Sequence, residues 1–280
     1  MLTTEQLAAW DRDGFLVIDD FVTSEQCGAL KAHVVDLLDQ IDLSQQGSPT
    51  VFSTTERSHA QDEWFLGSGD KVRWFFEDGA IQDGELTVPL PLAINKLGHA
   101  MHDLDPVFSE FSRLPQMAEL AADIGFVDPK LLQSMYIFKQ PGIGGEVVSH
   151  CDHTFLWTEP QSVVGFWVAI EDATIDNGCL WAIPGGHRIA VKSRFRLDGS
   201  GGTVTDVLDK SPYPEADLVA IEAKAGTLVL LHGSLPHWSG PNRSATSRHA
   251  YTLHVIDGAT DYLADNWIQR PAEMPLHGFL

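Results

Sequence analysis

Positive charge is scarce in this 280-residue chain: 18 lysines and arginines stand against 39 aspartates and glutamates, a formal net charge of −21. A surface of that sign repels phosphate backbones and anionic headgroups, so neither nucleic acid nor a membrane surface is an expected partner. Cysteine is scarce as well. Cys27, Cys151 and Cys179 are odd in number and widely spaced, which argues against a disulfide framework or zinc ribbon and for a reducing, cytoplasmic location. No apolar run approaches a membrane span, and "MLTTEQLAAWDRDGF" carries charges where a signal peptide needs an apolar stretch. Repeats, low-complexity tracts and linker-like boundaries are missing too, so residues 1–280 are expected to form one domain.

What is present suits a soluble enzyme. Hydrophobic residues make up 44% and charged residues 20% of the chain, enough for a sizeable core. "LTTEQLAAWDRDG" opens with Thr3 or Thr4 as a cap and ends at Gly14, and "FLVIDDFV" reads as a strand. A second helix starts at Thr23 or Ser24, with Cys27, Leu30, His33 or Val34, Leu37 and Leu38 at helical spacing. Further helix is expected between about 91 and 122, broken near Asp105-Pro106. From about residue 131 to 258, short β-rich runs alternate with Gly, Pro, Asn and Asp turns, the texture of a sandwich, jelly roll or barrel. Asn177-Gly178 reads as a hairpin turn. The fold class is therefore α+β, helix-rich to about residue 130 and a β-core after it.

"EVVSHCDHTF", residues 146–155, concentrates the chemistry. Read as a strand, it points His150 and Asp152 to one face and His153 with Cys151 to the other. An H-x-D pair needs a third ligand, and His187, His232, His237, His249 and His254 are the candidates. A hairpin centred near Asn242-Arg243 would place His237 opposite Arg248, with Ser239 on the same face as His237. Two histidines and one carboxylate on one side of an Fe(II) ion leave three positions open. A 2-oxo acid can fill two of them and leave the third to O2. Arg248 offers the fork that the far carboxylate of 2-oxoglutarate requires.

These residues sit in a pattern that resembles the phytanoyl-CoA dioxygenase family of Fe(II)/2-oxoglutarate oxygenases. "DGFLVIDDF", "AINKLGHAMHDLDPVF", "QSMYIFKQP", "SHCDHTFLWTEP", "EDATIDNGCLWAIPGGHR" and "HGSLPHWS…SRHAYTLH" carry the likeness in order. It implies a double-stranded β-helix (jelly-roll) core flanked by helices, with His150, Asp152 and His237 as iron ligands. It implies Arg248 and Ser239 as partners of the 2-oxoglutarate tail, and Lys96, Met135 and Trp167 as further cosubstrate contacts. Without it, Met135 and Trp167 read as core and Lys96 as an exposed helix lysine. The chain departs from the family where glutamine is common, at Cys151, and where a serine gives way to Gly186 beside a structural His187. Because Asp152 is retained where related halogenases have a small residue, the resemblance implies hydroxylation of a small organic substrate, with release of succinate and CO2 and ascorbate as reductant.

Arg188, Lys192, Arg194 and Arg196 can receive an anionic substrate group or form a solvated loop paired with acids. Trp74 and Phe76 share a strand face and can line a pocket or pack in the core. A non-catalytic iron/2-oxoglutarate sensor and a zinc hydrolase are the alternative functions.

Overall fold

The computed structural model describes residues 1–43, 50–51 and 63–280. The first helix, Thr4–Asp13, is closed at its start by a reciprocal box between Thr3 and Gln6 and at its end by left-handed Gly14. The second, Ser24–Asp39, uses the same device: Gln26 N donates to Thr23 Oγ1 at 3.1 Å and Thr23 N donates to Gln26 Oε1 at 2.8 Å. It buries Cys27, Leu30, Val34 and Leu38, while His33 and Leu37 stay at the margin.

The expected helix over 91–122 is interrupted. Leu90–Ala93 is a single turn, and Ile94–His99 is a strand held between Val72–Phe76 and Pro129–Ile137. Neighbours on both sides override a weak local preference. Helix returns in Met101–Leu104, Pro106–Ser112 and Pro115–Asp123. The break falls at Asp105, whose Oδ1 accepts from the N–H groups of Val107 and Phe108 at 3.0 and 3.1 Å.

Two antiparallel sheets face each other. The larger runs Phe15–Ile18, Leu228–His232, Val164–Ala169, Ala250–Asp257, Pro129–Ile137, Ile94–His99, Val72–Phe76. The smaller runs Val219–Ile221, Leu180–Ala182, His237–Ser239, Val147–His150. This is the α+β jelly roll, with three strands of the large sheet drawn from the helix-rich front of the chain.

Side-chain alternation divides the large sheet. One cross-strand row, Leu97, Tyr136, Tyr251, Val168 and Leu228, faces outward and packs under the helices with Leu30, Val34, Phe108, Met117 and Leu120. Each fully buried side chain of that size contributes about 1.5–3 kcal/mol. The inward rows hold smaller and more polar residues. Lys96, Ile137, Ala250 and Ala169 form one; Gly98, Met135, Thr252 and Trp167 the next; Gln133, His254 and Gly165 the third. Trp74 and Phe76 belong to the helix-side core, whereas Phe75 lies across from Lys96 on the inward side.

Two expected hairpins are not formed. The Asn177-Gly178 turn carries the chain from the large sheet to the small one, since Val164–Ala169 and Leu180–Ala182 belong to different sheets. Likewise His237–Ser239 pairs with Val147–His150 and Leu180–Ala182, not with the strand after Asn242. Asn242 does make a turn, its Oδ1 accepting from Ser244 N at 2.9 Å, but the turn joins two sheets. Among the described residues, no helix is long and apolar enough to cross a membrane.

Buried imidazoles link this packing to pH. Burial pushes His232 and His249 from the usual 6.5 down to about 4. Between those values the unfolded chain binds protons that the folded chain refuses, so stability is complete above 6.5 and declines as pH falls toward 4. The urea midpoint is expected to drop between pH 7.5 and 5.5, less steeply in His249→Gln. A flat midpoint in both proteins would mean that these rings are not held neutral.

Candidate metal and 2-oxo-acid site

His150 is the last residue of Val147–His150 and lies directly across from His237. Their rings are 4.3 Å apart. The strand ends sooner than the sequence suggested: Cys151 is extended, but Asp152–Thr154 is a 3-10 turn. Extended geometry at Cys151 is enough to bring Asp152 back to the His150 side. Asp152 Oδ1 stands 3.8 Å from His150 Nε2 and 3.7 Å from His237 Nε2. One donor atom from each of the three lies within 4.8 Å of the others.

The backbone fixes both imidazoles. His150 Nδ1 faces Val148 O at 2.8 Å and His237 Nδ1 faces Leu235 O at 3.0 Å. A carbonyl can only accept, so the ring proton belongs on Nδ1 and the Nε2 lone pair points at the shared centre. Burial and the neighbouring His237 lower His150 to about 4, despite Asp152. For Asp152, burial alone would raise the carboxyl, but His254, His237 and His150 outweigh it and hold it well below the usual carboxylate range. Two imidazoles with Nε2 turned inward and one carboxylate are the donor set for a divalent transition metal.

His153 turns away, as the alternation required. Its ring stacks on Trp157 at 4.2 Å, and Nε2 lies 3.1 Å from Thr158 O. Cys151 also points away, with Sγ 3.2 Å from both Ser234 O and Tyr213 OH. Its substitution for a polar residue therefore alters the wall behind the site. The His187 ring lies tilted against that of His232, 5.0 Å between centres, and a Cβ on Gly14 would run into it, consistent with a structural histidine. His249 meets Tyr136 OH at 2.9 Å.

Deeper between the sheets lies a cationic wall. Arg248 is 2% exposed and Lys96 5% exposed, so both charges are inside the protein. Lys96 is on a strand, not on an exposed helix. Arg248 Nε donates to Gly178 O at 3.1 Å, Ser239 Oγ donates to the same carbonyl at 3.0 Å, and Arg248 Nη2 donates to Ser239 Oγ at 3.4 Å. The guanidinium also lies 5.4 Å from the Trp167 ring centre. The hairpin expected to set His237 opposite Arg248 is absent, and Arg248 meets Ser239 across the sheets instead. Burial lowers Arg248 to about 10, which leaves it cationic, and draws Lys96 down to about 7 against the opposing pull of Glu77.

Arg248 Nη1 and Thr252 Oγ1 are buried without a hydrogen-bond partner among the described residues. A guanidinium N–H so placed is expensive unless an anion completes it. Met135 and Trp167 flank Thr252 in the same cross-strand row. Thr252 and His254 were not singled out together from the sequence, yet the signal was there. Ala250, Thr252 and His254 follow a period of two on the inward face of one strand, and Arg248 continues that period just before it.

The basic segment is neutralised by acids. Lys192 pairs with Asp209 at 3.0 Å, Arg194 with Asp265, Arg196 with Asp206 at 2.5 Å, and Arg188 lies 3.7 Å from Asp11. The acid pairing expected of these cations is present, but Arg194 and Arg196 lie on a strand, Ser193–Leu197, paired with Thr203–Val207, and not on a loop.

A jelly roll with a two-histidine, one-carboxylate cluster between its sheets has the architecture of a non-haem oxygenase. Comparison with known proteins sharpens the class: residues 10–250 match the phytanoyl-CoA dioxygenase (PhyH) family, and the chain belongs to this family of dioxygenases. It is 45% identical to a phytanoyl-CoA dioxygenase of Arabidopsis thaliana, over 98% of this chain and 95% of that one. It is 41% identical to phytanoyl-CoA dioxygenase domain-containing protein 1 of Mus musculus, over 98% and 97%. Among solved structures it is similar in fold to EctD from S. alaskensis with 2-oxoglutarate and 5-hydroxyectoine. That match has a TM-score of 0.66 at 19% identity, covering 100% of this chain and 89% of the other. The alpha ketoglutarate dependent carbocyclase SnoK is similar too, with TM-score 0.65, 16% identity, and 98% and 96% covered.

Because His153 faces its own loop, His153→Ala should lose roughly 1–3 kcal/mol of stability while keeping the affinity for Co(II). Loss of metal binding by a variant that still folds would contradict this placement.

Proposed function

We propose that the protein is an Fe(II)- and 2-oxoglutarate-dependent dioxygenase that hydroxylates a C–H bond of a small organic substrate, releasing succinate and CO2. His150, Asp152 and His237 are the proposed iron ligands. Lys96, Met135, Trp167, Ser239 and Arg248 are the proposed contacts of 2-oxoglutarate, and the whole chain acts as one domain. A single observation carries the reading: a two-imidazole, one-carboxylate cluster shares a strand face with Ser239, which meets a buried guanidinium that has a hydrogen-bonding edge to spare. A zinc hydrolase gives that guanidinium no task, and iron and 2-oxoglutarate accompany this fold in EctD.

When bound, iron and its cosubstrate supply the oxidising chemistry; the chain supplies geometry. Nδ1 anchoring by Val148 O and Leu235 O keeps the two Nε2 donors aimed without rearrangement. Gly178 O holds Arg248 and Ser239 in the orientation that receives a carboxylate. Trp167 and Met135, on either side of Thr252, are placed to shield the bound cosubstrate from water. His150 is partly exposed, and half-exposed Phe155 packs against its ring at 6.0 Å, with Phe195 5.8 Å beyond. This apolar rim is the proposed side of substrate approach. Since the nearby cations already have acid partners, we favour a substrate whose reacting part is apolar.

The test is succinate formation by the purified protein with Fe(II), ascorbate, O2 and 2-oxoglutarate. Slow, iron-dependent succinate supports the reading. Its absence, together with no anaerobic binding of 2-oxoglutarate, would discard it. Asp152→Ala is expected to abolish metal binding and turnover together. Arg248→Ala should weaken 2-oxoglutarate roughly 10- to 100-fold, the worth of a charge-assisted hydrogen bond, with Co(II) affinity kept. Equal loss of both would make Arg248 structural instead.

A further inference from the structure

The two oxygens of Asp152 have different surroundings. Oδ1 faces the imidazole pair, whereas Oδ2 points away from it, 3.3 Å from Nε2 of His254. His254 is 4% exposed and comes from the inward face of Ala250–Asp257, directly across from Gly165 and Gln133. A missing side chain makes the approach possible. A Cβ on Gly165 would stand 3.1 Å from Asp152 Oδ2 and 3.7 Å from His254 Cδ2. The backbone thus leaves a slot that the carboxylate and the ring share.

The ring's other nitrogen identifies which edge it offers. His254 Nδ1 is buried with no hydrogen-bond partner among the described residues. An N–H there would be an orphaned donor, whereas a proton on Nε2 faces the carboxylate. At 3.3 Å the two atoms are not aligned as a hydrogen bond, and Asp152 Oδ2 is likewise buried without a hydrogen-bond partner among the described residues; a small rotation of the ring would align the N–H with the oxygen that lacks one.

We infer that His254 is a positioning residue that engages Asp152 Oδ2 through its Nε2–H and so restricts the carboxylate to one-oxygen coordination. The inference rests on the metal site proposed above. Its consequence is a matter of coordination positions. Two imidazoles, a carboxylate bound through both oxygens and a chelating 2-oxo acid would fill an octahedral ion, leaving nothing for O2. Holding Oδ2 aside keeps one position available, and it limits how far the carboxylate can swing.

The test needs no substrate and no turnover. The metal-free protein is titrated anaerobically with Co(II), reading affinity by calorimetry and ligand geometry by visible absorption. His254→Leu is expected to weaken Co(II) roughly 10- to 100-fold and to change the spectrum. His254→Gln, which places an N–H donor at a similar reach, should recover most of both. Wild-type affinity and spectrum in the Leu variant, or a Gln variant as impaired as Leu, would overturn the inference. Should His254→Leu fail to fold, Gly165→Ala decides: its Cβ must displace Oδ2, and unchanged Co(II) binding would overturn the role. Wild-type protein that binds no Co(II) would instead remove the metal-site reading beneath it.

Discussion

Everything in the proposed centre hangs on one cross-strand pair. His150 and His237 lie directly across from each other in the small sheet, and each ties its Nδ1 to a carbonyl two residues earlier. Pairing sets the distance between the rings, and the two carbonyls set their rotation. Neither can drift without breaking sheet register. Asp152 then needs to supply only one oxygen from the turn that follows. A chemically demanding arrangement is thereby reduced to ordinary β-pairing plus one extended residue.

The large sheet makes room for that arrangement. Its outward rows are bulky and apolar, and they carry the helices. Its inward rows include Gly98, Gly165, Ala169 and Ala250, small enough to let polar side chains lie between the layers. Leu180, Ala182 and Ile221 of the small sheet meet Trp167, Val229 and Leu231 there, a modest apolar seam beside the charged cavity. Desolvation is what gives the cavity its character. The same burial that keeps His150 neutral draws down Lys96 and leaves Arg248 a cation in need of a counter-charge.

Local signals were legible in the sequence and long-range ones were not. The capping boxes at Thr3 and Thr23, the helix stop at Gly14 and the break at Asp105 all depend on residues within four positions of one another, and the structure contains each of them. The alternation that separates His150 and Asp152 from His153 needs only one extended residue, Cys151. Sheet membership is different. Nothing near Asn177-Gly178 or Asn242 says whether the strands on either side pair with each other or cross between layers, and at both turns they cross. Lys96 was misjudged for the same reason, because "INKLGH" becomes a strand only through partners more than twenty residues away on one side and about forty on the other. The hairpin expected to set His237 opposite Arg248 does not exist, and Arg248 meets Ser239 instead. Residues on facing sheets can meet as closely as residues on paired strands.

The N-terminal helix has a significance beyond its own stability. Gly14 leaves no room for a side chain against His187; Gly185 N donates to Asp13 O, and His232 N donates to Gly14 O. The strand that follows, Phe15–Ile18, covers the flank of Leu228–His232 along its whole length. Protein in which these first eighteen residues were cleaved or displaced would present an apolar run, "LVLLH", as a bare sheet edge. Such an edge recruits strands from other chains. Proteolytic nicking near the amino terminus would therefore first appear as self-association.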